Sequence, residues 1–140
     1  MTVHWRRDNR QAQVSGWCAL AFGQDNTSSI PQRALRLLEE AVETYQAAGC
    51  DEEMAHKLVA FVFARPKGEV SQELGAVGLC LLALASAAGV SADEEEAREF
   101  DRVLAKPLAH FTARNQAKNA AGFEVEKRAP DVQPLSSRRK

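Results

Sequence analysis

The chain has 140 residues, of which 45% are hydrophobic and 26% are charged, and its formal net charge is −1. This composition is typical of a single globular domain. The near-zero charge gives no support for a nucleic-acid polymer or an acidic membrane surface as partner.

The cysteines and the apolar segments suggest a cytoplasmic protein. Cys18, Cys50 and Cys80 form no C-x-x-C pair, so we expect reduced thiols rather than a zinc or redox motif. The N-terminus has arginines but no apolar stretch typical of a signal peptide. The longest apolar run, 77–90, is shorter than the ~20 residues needed to cross a bilayer, so no membrane partner is expected.

The first half of the chain predicts two helices. The first covers 8–22 and ends at Gly23, and the polar segment GQDNTSS that follows is predicted to be a loop. The second helix begins after Ser29 and ends near Ala48. Pro31 suits its first turn, and Gln32 completes an S-x-x-Q capping box with Ser29.

The second half predicts three more helices and a tail. A helix capped by Asp51 runs to about residue 64 and is followed by helices over 69–88 and 91–121. Pro107 is expected to kink or divide the last of these. We therefore predict an all-α bundle over residues 1–123 and, because 124–140 is charged and poor in large apolar residues, a flexible C-terminal tail.

The second predicted helix carries three glutamates on one side. Glu39, Glu40 and Glu43 fall within an arc of roughly 100°, opposite an apolar stripe that includes Leu35, Leu38 and Val42. Taken alone, such a run is typical of a solvated helix face.

The helix over 69–88 gives the glutamates a second interpretation. After Gly75 it is apolar on every side, which is typical of a bundle core or an oligomer interface, yet Glu69 and Glu73 stack in its first turns. Burial of unpaired carboxylates is costly, and Mg²⁺ or Mn²⁺ bound by them would remove that cost. The alternative is an exposed helix start where both acids complement the dipole.

The two acidic segments resemble one enzyme family. Glu39-Glu40-x-x-Glu43, followed by Glu73 at the start of an alanine- and leucine-rich helix, is similar to the MazG-like all-α nucleoside triphosphate pyrophosphohydrolases, and VFARPKGEVSQELG looks like a phage-type branch. The resemblance covers about residues 12–122. It implies a four-helix core assembled as a homodimer or homotetramer.

The resemblance also implies an activity and roles for the glutamates. Mg²⁺ or Mn²⁺ would be bound, and a nucleoside triphosphate would be cleaved between its α and β phosphates to give the monophosphate and pyrophosphate. Glu40, Glu43 and Glu73 match the family's metal ligands, and Glu39 matches the additional acid beside them. Ala76 stands where the family usually has an aspartate, so Glu69, one turn before Glu73, is the candidate replacement ligand.

Other residues are candidates for substrate binding. Hydrolysis requires a positioned, deprotonated water, most simply through Glu39 as the base. Arg114 and Lys118 are expected to bind phosphate, or else to complement the end of their helix, and Lys67 is a weaker candidate. Trp17 could stack on a base or simply pack in the core, and Gln13 could read a base edge.

The leading hypothesis is a metal-dependent (deoxy)nucleoside triphosphate pyrophosphohydrolase that controls nucleotide pools in a bacterial or host cytoplasm. A purine substrate such as dGTP is suggested only by the phage-like appearance of the branch. The rival hypotheses are a catalytically silent helical interaction module, consistent with Ala76, and a structural bundle whose acids are solvated.

Overall fold

The structure is a computed structural model that describes residues 7–125, and within this range all regular secondary structure is helical, with no strand. Seven helices follow one another along the chain: α1 (Arg7–Phe22), α2 (Gln24–Ser28), α3 (Ile30–Ala47), α4 (Glu52–Phe63), α5 (Val70–Ala88), α6 (Ala92–Leu104) and α7 (Leu108–Ala120). The predicted all-α class is confirmed. Most of the predicted tail, from residue 126 onward, lies outside the described residues, as do residues 1–6.

Local sequence signals account for most helix ends. The side chains of Ser29, Asp51 and Ser91 accept hydrogen bonds from the backbone of the first turns of α3, α4 and α6, as their positions before helical segments predict. Gly89 ends α5 in the left-handed conformation, with a φ of 70° that favours glycine. Pro107 divides the predicted last helix into α6 and α7, because proline lacks the N–H that a continuous helix needs.

Two local predictions were wrong. The segment GQDNTSS is not all loop, since residues 24–28 form the short helix α2, in which Thr27 Oγ1 donates to the Gly23 carbonyl. The capping box of α3 is only half formed. Ser29 Oγ accepts from Gln32 N at 3.3 Å, but Gln32 Oε1 accepts from Val125 N at 2.9 Å instead of returning to the cap.

The tertiary structure is centred on α1. This helix packs against α2 and α7, and α2 packs in turn against α3. Thr112 Oγ1 of α7 donates to the Ala21 carbonyl at 2.8 Å, and Trp17 makes edge-to-face contacts with Phe22 and Phe111. Of the remaining helices, α6 packs on α5, and α4 takes part in none of the principal helix contacts of the described residues.

An ion-pair network connects α6 back to α1. Arg10 Nη1 lies 2.9 Å from Asp93 Oδ1 and 2.8 Å from Glu96 Oε1, and Arg7 Nη2 lies 3.1 Å from Glu96 Oε2. The Arg10 side chain is only 8% exposed, so its two carboxylate partners satisfy a charge that would otherwise be costly to bury.

The apolar surface of the described part of the chain is largely uncovered. Its buried hydrophobic residues are Cys18, Ala21 and Ala85, all small. Large apolar side chains are exposed on α3, α4 and especially α5, where they are Val70, Leu74, Val77, Leu79, Leu81, Leu82 and Leu84. Soluble monomers rarely leave so much contiguous apolar surface in water.

Helix α5 also has the dimensions of a membrane span. It is 19 residues long with a mean hydropathy of 1.5, and it is the one described helix that is long and apolar enough to cross a bilayer. The apolar run 77–90 was expected to be too short to cross a bilayer, but α5 begins seven residues before that run and is long and apolar enough by length and composition. An apolar helix that is covered by protein meets the same criteria, so this property alone decides nothing about a membrane.

Candidate functional site

The glutamates of α3 lie on a helix whose neighbour is α7. Glu39 is paired with two cations, since its Oε1 lies 2.7 Å from Lys118 Nζ of α7 and its Oε2 lies 3.0 Å from Arg36 Nη1. These hydrogen bonds, first from Lys118 and then from Arg36, lower the pKa of Glu39. Glu39 is therefore a carboxylate held in the ionised form, which makes it a poor proton acceptor.

Glu40 and Glu43 are in a different electrostatic position. Both are exposed, and within residues 7–125 neither side chain has an ion-pair partner. Partial desolvation raises the pKa of Glu40, and repulsion from Glu43 and Glu39 adds to the effect. The pKa of Glu40 shifts in the direction expected of a general base or of a ligand awaiting a cation.

The second predicted half of the site lies at the start of α5. Glu69 occupies the N-cap position but its side chain makes no capping hydrogen bond, and Glu73 is in the first turn. Both are exposed, and the Glu73 carboxylate lies against Gly68, where a larger residue would force it to move.

One chain does not assemble the predicted metal site. Across residues 7–125, no three acidic, histidine or cysteine side chains lie close enough together to hold a metal ion. The glutamates of α3 offer carboxylate oxygens, which suit Mg²⁺ and Mn²⁺, but among the described residues they form no such group with Glu69 and Glu73. A complete ligand set would need oxygen ligands from elsewhere.

The predicted substrate-binding residues divide into two groups. Lys118 is in the site, as the partner of Glu39. Arg114, Lys67 and Gln13 are exposed side chains that are not gathered around the α3 glutamates by any recorded contact. Trp17 is half-buried between Phe22 and Phe111, with ring centroids 5.4 and 4.9 Å away, so its observed contacts are those of core packing.

Two cavities lie along the seam between α3 and α7. The smaller, of about 260 Å³, is lined by Leu35, Arg36, Leu38, Glu39, Lys118 and Phe123. The larger, of about 770 Å³, is lined by Phe22, Asp25, Asn26, Ser29, Gln32, Asn115, Asn119, Gly122, Glu124 and Val125. We refer to them as the cationic cavity and the amide cavity.

The amide cavity was not predicted from the sequence. Gln32 was interpreted only as a capping residue, and Asn115 and Asn119 were given no role. No local pattern brings these amides together, because Gln32 and Asn119 are far apart in the chain. The one available signal was the unusual density of amide side chains in RNQAKN.

Comparisons with known proteins do not identify a family: no family model, curated protein or solved structure matches this chain.

Proposed function

We propose that the chain is a metal-dependent nucleoside triphosphate pyrophosphohydrolase that acts as a homo-oligomer. The observation that carries this proposal is the α3 carboxylate cluster, in which Glu40 and Glu43 stay unpaired and Glu40 has a raised pKa, beside the cations Lys118 and Arg36. Unneutralised carboxylates next to positive groups suit a triphosphate with its divalent cation.

The roles follow from the contacts. Glu40 and Glu43 would hold Mg²⁺ or Mn²⁺, which when bound would neutralise phosphate charge and lower the pKa of a water. Lys118 and Arg36 would neutralise further phosphate oxygens, at the cost of loosening their pairs with Glu39. The raised pKa makes Glu40 a better proton acceptor than Glu39, so Glu40 replaces Glu39 as the proposed base, binding the metal through one carboxylate oxygen and accepting the proton of the water through the other.

Oligomerisation would supply what one chain lacks. The exposed apolar face of α5 needs cover, and the exposed Glu69 and Glu73 at its start would approach a second chain together with it. We propose that Glu69 and Glu73 of one subunit complete the ligand set of Glu40 and Glu43 of another. Glu69 takes the place of the aspartate absent at Ala76.

The activity is tested by incubating the full chain with each common deoxynucleoside and ribonucleoside triphosphate and Mg²⁺ or Mn²⁺, and by identifying the products. The expected products are a monophosphate and pyrophosphate. Glu43→Gln should reduce turnover by at least about a hundredfold with an unchanged far-UV spectrum, because an amide is a poor ligand. Glu53→Gln, on the exposed face of α4, is the matched control.

The second candidate is a catalytically silent interaction module. It is favoured by the absence of a three-ligand cluster from residues 7–125 and by Ala76. If no monophosphate forms under any condition and calorimetry detects no Mn²⁺ binding, the interaction module is favoured over the pyrophosphohydrolase. Full activity in Glu69→Ala would leave the enzyme in place but remove Glu69 from the ligand set.

A further inference from the structure

Two buried polar atoms of the amide cavity's lining have no hydrogen-bond partner among residues 7–125, and a third, Arg33 Nε, belongs to a residue that contacts this lining. Gln32 is 3% exposed, and its Oε1 already accepts from Val125 N, so the unpaired atom is the donor Nε2. Across the cavity lining, Asn119 Oδ1 is a buried acceptor with no hydrogen-bond partner among residues 7–125. Unpaired buried polar groups are rare in folded proteins and destabilise them, so a ligand that satisfies both is a natural explanation.

The lining of this cavity selects the chemistry of such a ligand. Four amide side chains, one aromatic ring and the acidic residues Asp25 and Glu124 line it, and no described lysine or arginine does. The nearest described arginine contact is Arg33, which donates to the lining residue Asn26 and lies over the Phe22 ring at 5.3 Å from its centroid. With two acids in the lining and this arginine already engaged, the cavity suits an uncharged group better than a phosphate. Its volume of about 770 Å³ lies within the range for small-molecule sites. A neutral planar heterocycle with an adjacent donor and acceptor matches one unpaired donor and one unpaired acceptor in this lining.

The neighbouring cationic cavity indicates how a ligand would be oriented along the seam between α3 and α7. Gln32 and Glu39 are seven residues apart on α3, so they share a face of the helix at a separation of roughly 10 Å. On α7, Asn119 directly follows Lys118 in the chain, and Lys118 is the residue that pairs with Glu39. Amides at one end of the seam and cations at the other match a molecule with a heterocycle at one end and phosphates at the other.

We propose that the amide cavity binds the base of a nucleotide, with Gln32 Nε2 donating to the base and Asn119 Oδ1 accepting from it. The choice of a nucleobase among planar heterocycles rests on the proposed triphosphate function. The cavity itself, with its two unpaired amide atoms, does not depend on that function.

The test uses the ¹⁵N-labelled full chain with nucleosides that carry no phosphate, in the absence of metal. At least one of guanosine, adenosine, cytidine and thymidine should shift the side-chain amide signals of Gln32 and Asn119. Pyrophosphate should leave these signals in place. If glucose shifts them equally, or if no nucleoside shifts them at millimolar concentration, the proposal is wrong.

Asn119→Leu separates a binding role from a structural one. Loss of one buried hydrogen bond to the ligand should weaken nucleoside binding by about tenfold or more. The melting temperature should stay the same or rise, since the variant removes an unpaired buried acceptor. Gln46→Leu, on an exposed part of α3, should change neither property. Asn115→Ala provides the same test should Asn119→Leu fail to fold.

The two proposals fail separately. If the chain binds nucleosides but hydrolyses no triphosphate, the base pocket is supported and the proposed pyrophosphohydrolase activity is contradicted. If Asn119→Leu and Asn115→Ala hydrolyse triphosphates with the wild-type rate and KM, the proposed activity stands and base binding in the amide cavity is contradicted.

Discussion

At the scale of single residues, the α3 cluster contains carboxylates with opposite tendencies. Glu39 is neutralised by Lys118 and Arg36, which lower its pKa, whereas partial desolvation and then repulsion from Glu43 and Glu39 raise the pKa of Glu40. Adjacent residues on one helix differ in this way because their side chains face different neighbours, 100° apart around the helix axis. Glu39 therefore joins α3 to α7 through its ion pair with Lys118, whereas Glu40 is the residue to which we assign the proposed chemistry.

Lys118→Met should lower the free energy of unfolding at pH 7 by about 0.5–1 kcal/mol, since both partners are partly exposed and Arg36 still pairs with Glu39. The lowered pKa of Glu39 means that this stabilisation is present above the ordinary value of 4.5 and is lost as the pH falls through the folded-state pKa. Denaturant unfolding of variant and wild type should therefore converge in acid. Lys57→Met, on α4, serves as the control, and a difference that persists at low pH would contradict the assignment.

Glu40→Gln should have the opposite effect on stability. A carboxylate with a raised pKa destabilises the fold once it ionises, so the amide should raise the free energy of unfolding at pH 7 by a few tenths of a kcal/mol, a small value because the group is exposed and screened. The gain should disappear below the ordinary value of 4.5, where both states are protonated. The same variant should lose pyrophosphohydrolase activity, and a stabilised variant with full activity would remove Glu40 from the proposed site.

At the scale of helices, hydrogen bonds and ion pairs position helices that share few buried hydrophobic residues. Arg10 joins α1 to α6 through Asp93 and Glu96, and Thr112 joins α7 to α1. Since only small hydrophobic residues are buried among residues 7–125, these directional contacts fix more of the helix arrangement than side-chain packing does.

Arg10→Met tests this dependence. It should destabilise the protein by about 1–2 kcal/mol, less than a fully buried pair would lose, because Asp93 and Glu96 remain hydrated when the arginine is removed. Thermal unfolding measures the change. Arg98→Met, the control, breaks an exposed ion pair within α6 and should lower the free energy of unfolding by less than about 0.5 kcal/mol. Equal effects of the two variants would show that the α1–α6 network stabilises the protein no more than an exposed ion pair does.

The helix ends and the separation of α6 from α7 could be predicted because capping residues, glycine and proline act within a few positions of themselves. Helix α2 could not, since its residues favour turns and it forms between α1 and α3, against which it packs. The Glu39–Lys118 pair and the amide cavity depend on contacts between distant parts of the chain, and periodicity carries no information about these. The three glutamates were visible in the sequence, but their different electrostatic states were not.

At the scale of the whole molecule, the exposed face of α5 dominates. Leu79 is 71% exposed and Leu82 is 52% exposed on a helix that packs on α6 alone among the principal helix contacts. A stable protein interface buries about 1,200–2,000 Å² in total, and exposed leucines and valines along the length of α5 are suited to such an interface.

Leu82→Lys should therefore convert the proposed oligomer to a monomer or an aggregate, because a charge on this face would be buried unpaired. Sedimentation velocity measures the assembly state. Glu94→Lys, at an exposed and already polar position on α6, should leave the assembly unchanged. A wild-type chain that sediments as a monomer at all concentrations would contradict the proposal.

If the site combines α3 of one subunit with the start of α5 of another, two inactive variants should complement each other. Glu43→Ala and Glu73→Ala subunits, each inactive alone, should regain part of the wild-type activity after they are mixed and allowed to exchange. The mixed dimer contains one site with both glutamates intact. No recovery, despite exchange shown by mass spectrometry, would place all the ligands in one chain.

The uncovered surface of α5 also has a consequence for how the protein folds. A chain that buries only Cys18, Ala21 and Ala85 among its described hydrophobic residues has little hydrophobic stabilisation of its own. Folding and association would then be one reaction, so that the melting temperature rises with protein concentration and the refolding rate has a second-order component. For such a protein, stability is a property of its concentration in the cell as much as of its sequence.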